Sequence, residues 1–320
     1  MLQVERLLAD CLHDARTDPP GPLPPLPDPA AYAAARRAFL AAGLRALRDE
    51  RRPDGGWVQL NVAPEGAHAW PALYRRLADA ARELTGSGAA DDFFFLHKPP
   101  GLRVRFHAPG PDGAAALRER LVPLFDRARD GWAPPVPAVY EPETYLFGGD
   151  RSMEHAHRLH TADSRAWLEH HTGAHPPVDW RVSLTLLRAV LDGLGVVGWE
   201  HRGVWQALRE ETGRRLAGGG RGADRERAAA GIRAYWELPD RARLEALPAD
   251  WRTPVAAHRD ALRAAAERWR TGYFESGGAR IGPRRAAAHW VVFHWNRARF
   301  STARQALLTE ALADDGRDPR

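Results

Sequence analysis

The sequence predicts an α+β protein, with an antiparallel sheet in its N-terminal half packed with a mostly helical C-terminal half. Two observations predict it. Between residues 56 and 149, stretches of period-two alternation are interleaved with amphipathic helical stretches in the order β-α-ββ-α-β, the order of a ferredoxin-like split unit with helices on one face. From residue 150 onward the alternation stops, and nearly every stretch has a helical period.

The elements follow in order. Residues 3–16 are periodic enough for a helix, and PPGPLPPLPDP (19–29) is an extended connector, because proline removes the donors a helix needs. A second helix spans 29–52, with Pro29 near its start and DGG (54–56) ending it. GWVQLNVAP (56–64) alternates as a strand, and residues 67–86 form an amphipathic helix. DFFFLHKPPGLRVRFHAPG (92–110) reads as two strands turning at Pro-Pro-Gly. A helix over 110–131 and a strand over 137–149 close the set. Helices are then expected over 150–171, 181–194, 198–217, 222–237, 253–272 and 285–313, with glycine-rich breaks at 217–223 and 275–283.

Composition narrows the function. Among 320 residues there is no run of eighteen apolar ones, which excludes a membrane-spanning helix. The first eighteen residues carry four acids, unlike a secretory signal, so cytoplasmic residence is the default expectation. Cys11 is the only cysteine, which excludes an internal disulfide and a cysteine-rich zinc site. The net charge of +5 comes almost wholly from arginines interleaved with acids, as in RALRDERRPD (45–54), so these are solvated helix faces rather than a nucleic-acid surface. The excess still suits an acidic partner through long-range steering.

Three blocks carry chemistry. In the strand GLRVRFH, Arg103, Arg105 and His107 share one face and Leu102, Val104 and Phe106 the other. Two guanidiniums on a sheet offer planar donor forks to carboxylates or amide oxygens, against the plainer reading of an exposed polar face. An RNA-binding sheet would need aromatics beside the basic residues, and after Gly101 they fall mostly on the other parity. In the expected strand over 137–149, Tyr140, Pro142, Thr144 and Leu146 alternate with Glu141, Glu143, Tyr145 and Phe147, and Gly148-Gly149 permits a sharp exit. The helix after it places His157, His160 and Ser164 at i, i+3, i+7, with Asp163 three residues after His160, a spacing that suits proton transfer. The third block, VVFHWNR, puts His294 and Arg297 at i, i+3, facing one cavity, with Asn296 on a different side. A zinc site lacks a third ligand, Ser164 lacks a nucleophile elbow, and no nucleotide or flavin motif is present.

Together FFFLHKPPGLRVRFHAPG, YEPETYLFGGDRSMEHAHRLHTADSRAWL and VVFHWNR resemble the C-terminal domain of lantibiotic dehydratases, also found alone in thiopeptide biosynthesis, over roughly residues 55 to 310. The resemblance implies a catalytic domain over 55–314, with N-terminal helices and connector over 1–54 contacting a leader peptide, and a disordered tail over 315–320. It implies work on a modified, leader-bearing precursor peptide, with transient contact with other biosynthetic enzymes and with no cofactor, nucleic acid or membrane. One branch of that family eliminates glutamate from glutamylated Ser or Thr. The other, the pyridine synthase branch, joins two dehydroalanines by a formal [4+2] aza-cycloaddition and expels water and leader.

Relatives of the eliminating branch carry an arginine where this sequence has Leu146, and His-Met where it has Val292 and Phe293. The resemblance therefore points to the pyridine synthase. On that reading Tyr140 and Arg105 orient carbonyls, His160 with Asp163 and Ser164 transfers protons, and His294 is a second proton-transfer candidate. Arg103, Glu143 and Asn296 complete the substrate contacts. A stand-alone glutamate-eliminating domain and a non-catalytic peptide-binding scaffold are the alternatives.

Overall fold

The computed structural model describes residues 6, 8–11, 28–50, 53–110, 113–126, 131–173, 179–216 and 222–313. Most of the helix expected over 3–16, nearly all of the connector at 19–29 and the tail at 315–320 lie outside the described residues. The chain divides into two compact units, Met1–Gly55 and Gly56–Arg320.

The first unit contains α1 (Pro29–Glu50), which begins at the expected proline. The Ala31 amide donates to the Asp28 carboxylate at 3.0 Å, an N-terminal cap. Tyr32 and Cys11 bury together against Leu40.

The second unit begins with β1 (Trp57–Val62), α2 (Trp70–Gly86), β2 (Asp92–Lys98), β3 (Gly101–His107), α3 (Gly113–Phe125) and β4 (Val136–Ala138). The sheet order is β2-β3-β1-β4 with every pair antiparallel, the order a split β-α-ββ-α-β unit generates. Val58, Leu60, Val62, Phe93, Phe95, Leu102, Val104 and Phe106 are buried on one face, in one core with Leu73, Leu77 and Leu84 of α2 and Leu117, Leu121 and Phe125 of α3. Gly101 opens β3 where a Cβ would sit 2.0 Å from the Val62 carbonyl, so only glycine lets the two backbones approach.

The expected strand over 137–149 is corrected. Only three residues pair with β1, after which residues 139–143 are irregular and Thr144–Phe147 form a one-turn helix, α4. Proline is the physical reason: Pro142 has no N–H with which to extend the ladder, whereas Pro137 pairs within β4. Gly148, with φ +91, then closes the turn, and the Gly149 amide donates to the Thr144 carbonyl at 2.7 Å. Leu146 therefore sits on a helical turn, not on a strand face.

The helical half comprises α5 (Asp150–Thr172), α6 (Asp179–Gly193), α7 (Glu200–Glu211), α8 (Ala223–Trp236), α9 (Asp240–Glu245), α10 (Ala249–Trp269), α11 (Pro283–Arg297) and α12 (Thr302–Ala313). Alpha10 continues into a π-helical turn over Arg270–Phe274. The single helix expected over 285–313 is two, broken where Arg299 takes φ +59, and α9 had no counterpart in the expected set.

Alpha5 organises the unit. Asp150 in its first turn complements the helix dipole. It lies along β2, an edge strand whose outward amides it satisfies. The Phe93 amide donates to Thr161 Oγ1 at 3.2 Å and the Phe95 amide to Ser164 Oγ at 3.4 Å. A covered edge cannot recruit another strand.

Candidate active site

The second face of the sheet carries the chemistry. Trp57, Phe94, Leu96 and Tyr140 form a small apolar cluster of their own, against which Phe293 packs. Arg105 stands among them, in register with Gln59 on one side and Phe94 on the other. Its Nε donates to Gln59 Oε1 at 2.7 Å, and its guanidinium carbon lies 4.3 Å from the Tyr140 ring centre and 5.0 Å from that of Phe94. Such stacking favours a weakly hydrated cation. Only 3% of Arg105 is exposed, and its Nη1 has no hydrogen-bond partner among the described residues. Burial lowers its pKa to about 10, which leaves it charged near neutrality.

The strand parity expected for Arg103, Arg105 and His107 holds, because Leu102, Val104 and Phe106 are all in the core. Two expectations about that face are corrected. It is not an exposed polar face at Arg105, because the helical half covers it. Nor is it poor in aromatics, because Trp57 and Phe94 share it through β1 and β2.

Tyr140 leaves β4 and turns inward, its hydroxyl hydrogen-bonded to His157 Nε2 at 2.8 Å. Burial raises the phenol well above its ordinary value and lowers His157 to about 3, so a neutral phenol meets a neutral imidazole. One α5 turn later, His160 is fully buried beside Phe94, Phe147 and Phe293, with neither ring nitrogen hydrogen-bonded among the described residues. Burial first, and then the nearby Arg297 charge, push its pKa well below the usual value. Glu143 Oε2 is also buried without a partner.

Behind this wall runs a dry polar network. His294 Nδ1 lies 2.7 Å from Asp163 Oδ1, and Arg297 Nη1 donates to Asp163 Oδ2 at 2.8 Å. His294 Nε2 lies 2.9 Å from Ser183 Oγ, which also accepts the Trp295 indole N–H at 3.1 Å. The Trp167 indole nitrogen lies 3.2 Å from His294 Nδ1, whose hydrogen is already directed at Asp163. Burial alone would raise the Asp163 carboxyl, but the charges and hydrogen bonds of His294 and Arg297 outweigh it and hold the pKa below the usual range. The free Nε and Nη2 of Arg297 are buried and unpartnered among the described residues, and its guanidinium carbon is 5.7 Å from the Phe94 ring centre.

The expected site residues are therefore distributed unevenly. Tyr140, Arg105 and His160 line the aromatic cluster. Asp163 is bonded to His294 and Arg297 rather than grouped with His160, which has no hydrogen-bond partner among the described residues, and Ser164 serves the edge of β2. Arg103 lies on the Arg105 face, half-buried, in register with Asn61 and Leu96. Asn296 points elsewhere, its side chain accepting from Gln305 at 3.3 Å and its carbonyl lying 2.8 Å from His97 Nδ1. Sequence reasoning placed Arg297 beside His294 but gave it no role. It missed Ser183, Gln59, Trp57 and His157 as partners of the chosen residues. Only His157 had a local signal, its spacing to His160. Among the described residues no three His, Cys, Asp or Glu side chains come together as metal ligands. An open groove of about 920 Å3, lined by Arg82, Phe93, Arg165 and Glu169 among others, includes none of the cluster's residues.

A split antiparallel sheet whose second face is closed by helices, over buried donors without partners among the described residues, defines an α+β domain with a buried polar cluster. Residues 57–314 match the lantibiotic biosynthesis dehydratase C-terminal family, and the chain belongs to that family. It is thus a dehydratase-like domain of the kind used in the biosynthesis of ribosomally made, modified peptides. Among solved structures, it is similar to the tRNA-dependent lantibiotic dehydratase MibB from Microbispora sp. 107891, with a TM-score of 0.60 and 19% identity. The match covers 81% of this chain but only 28% of MibB, and the likeness is one of fold. TsrL is matched with a TM-score of 0.48 and 16% identity, over 80% of this chain and 93% of that one. Comparison with curated proteins finds no match. Among the described residues no helix is long and apolar enough to cross a membrane.

Proposed function

We propose that the chain is a pyridine synthase. It joins two dehydroalanines of a leader-bearing precursor peptide by a formal [4+2] aza-cycloaddition and releases water and the leader. The observation that carries this reading is the set of buried N–H donors without partners among the described residues, Arg105 Nη1 and Arg297 Nε and Nη2, beside an aromatic wall and neutral histidines.

The reaction needs positioning and hydrogen bonding more than covalent help. One amide shifts its N–H hydrogen to oxygen, so that the iminol carbon, nitrogen, Cα and Cβ of one dehydroalanine become a 2-azadiene. The two Cβ atoms then bond to each other, and the iminol carbon bonds to Cα of the second dehydroalanine. Hydroxyl leaves the former iminol carbon with one ring hydrogen as water. The nitrogen that carries the leader leaves Cα with another ring hydrogen, so the leader departs as a primary amide and the ring is aromatic.

Arg105 and Arg297 donate to the amide oxygens, stabilising the polarised amide and the oxygen that leaves. His160, neutral and with free nitrogens, accepts from the amide N–H and returns the hydrogen at oxygen. Tyr140, held by His157, closes the wall beside Arg105. The flat rings of Trp57, Phe94 and Phe293 suit conjugated, uncharged dehydroalanines, and holding two reactants in register contributes roughly 7–11 kcal/mol in favourable intramolecular cases.

Glutamate elimination fits this site less well. Val292 and Phe293 stand where eliminating relatives are expected to carry His-Met, Phe293 packs on His160, and Leu146 adds hydrocarbon to the core. The test offers the protein two synthetic leader-bearing peptides, one with two dehydroalanines and one glutamylated on serine, and follows masses. Cyclisation of the first without reaction of the second supports the reading. Elimination of the second without cyclisation of the first overturns it.

A further inference from the structure

Ser183, His294 and Asp163 have the contacts of a hydrolytic triad, with Ser183 Oγ 2.9 Å from His294 Nε2 and His294 Nδ1 2.7 Å from Asp163 Oδ1. Their surroundings forbid that chemistry. None of the three has any solvent exposure, and the Ser183 oxygen already accepts from the Trp295 indole. Ser183 Oγ has its partners, whereas Arg297, equally buried, keeps two donors without one among the described residues.

The Trp295 indole can only donate, so its hydrogen goes to Ser183 Oγ. The Asp163 carboxyl is held below its usual range, so it is a carboxylate and accepts the hydrogen of His294 Nδ1, 2.7 Å away. His294 Nε2 rests 2.9 Å from Ser183 Oγ, and hydrogen bonds joined in this way strengthen one another in a buried interior. The row ends at Arg297, whose Nη1 is held by the other carboxylate oxygen at 2.8 Å. The atoms left over are Nε and Nη2, whose N–H bonds run parallel along one edge of the guanidinium, and both are buried without a partner among the described residues.

We infer that Ser183, His294 and Asp163 form a positioning relay whose output is the aim of the free two-donor edge of Arg297, a receptor for an amide oxygen or a carboxylate of the bound peptide. Ser183 holds the imidazole at Nε2, the imidazole fixes the plane of the carboxylate, and the carboxylate fixes the guanidinium. The kinetic part of this inference rests on the proposed cyclisation, whereas the relay itself does not.

The test compares wild type with Ser183→Ala and Ser183→Thr, using the full chain and the dehydroalanine peptide as substrate. Ser183→Ala leaves Nε2 without its partner, and kcat is expected to fall about tenfold with KM within about twofold, the scale of one unmade buried hydrogen bond. Ser183→Thr keeps the hydroxyl and is expected to recover most of the rate. In 15N spectra, the His294 ring signals and the Arg297 Nε–H signal are expected to shift in Ser183→Ala and to return in Ser183→Thr. A folded Ser183→Ala protein with unchanged kcat and unchanged Arg297 signal overturns the relay. Labelling of Ser183 by a fluorophosphonate overturns it too, by showing an accessible nucleophile. If wild type does not turn over the peptide, the cyclisation reading fails, and the Arg297 signal alone decides the relay.

Discussion

Asp163 and Arg297 meet at 2.8 Å with neither side chain reaching solvent. A buried ion pair is a weak net stabiliser when intact, but removing one partner strands the other charge, which costs about 3–5 kcal/mol. Asp163→Ala is therefore expected to lower unfolding free energy by that amount in denaturant titrations. Arg297→Met is expected to cost about as much. The double variant should be less destabilised than the sum of the singles, because no charge is then left alone.

His160 is the opposite case, a buried imidazole with no hydrogen bond among the described residues, ringed by Phe94, Phe147 and Phe293. An aromatic hydrocarbon suits that site better than an unsatisfied polar ring. His160→Phe is expected to keep or raise the thermal midpoint while lowering peptide turnover by about a hundredfold, the lower range for loss of a general acid–base group. Thermal unfolding and a turnover assay on one preparation check both halves.

Ser164 separates structure from chemistry. Its hydroxyl accepts the Phe95 amide at the edge of β2, at 3.4 Å. Ser164→Ala is expected to cost about 1 kcal/mol of stability, the net value of a hydrogen bond. Turnover by the folded variant should match wild type. Equilibrium unfolding and kinetics together test this.

The histidines set a pH dependence. Burial lowers His97 and His157 to about 3 and His171 to about 4, against about 6.5 in an unfolded chain. Their folded values are depressed, so the unfolded state binds more protons between those values and 6.5, and stability rises with pH across that window. The full contribution is present above about pH 6.5 and is lost as pH falls towards 4 and then 3. Each group adds at most about 1.4 kcal/mol per pH unit. Unfolding titrations at pH 7.5 and 5.5 should show the loss, and His157→Gln should reduce it.

Much of the fold was legible because its signals are local. The alternation in WVQLNV and GLRVRFH gave the strands, and β-α-ββ-α-β order leaves few ways to arrange them. The segment 137–149 misled because its alternating letters outweighed Pro142, which denies the ladder a donor. The break at Arg299 had no glycine or proline to announce it. The site was legible residue by residue, not pair by pair. Helical spacing brought His160 and Asp163 together on paper, but α11 supplies stronger partners for the carboxylate 131 and 134 residues away. Ser183 could not be found from sequence, because its role exists only where α6 crosses α11.

The leader itself offers the most direct measurement. Incubation with a synthetic precursor peptide carrying two dehydroalanines, followed by mass spectrometry of both products, tests the cyclisation. The account predicts a pyridine macrocycle that has lost water, and a leader fragment ending in a primary amide. Intact peptide, or a leader ending in a free acid with no macrocycle, would contradict it.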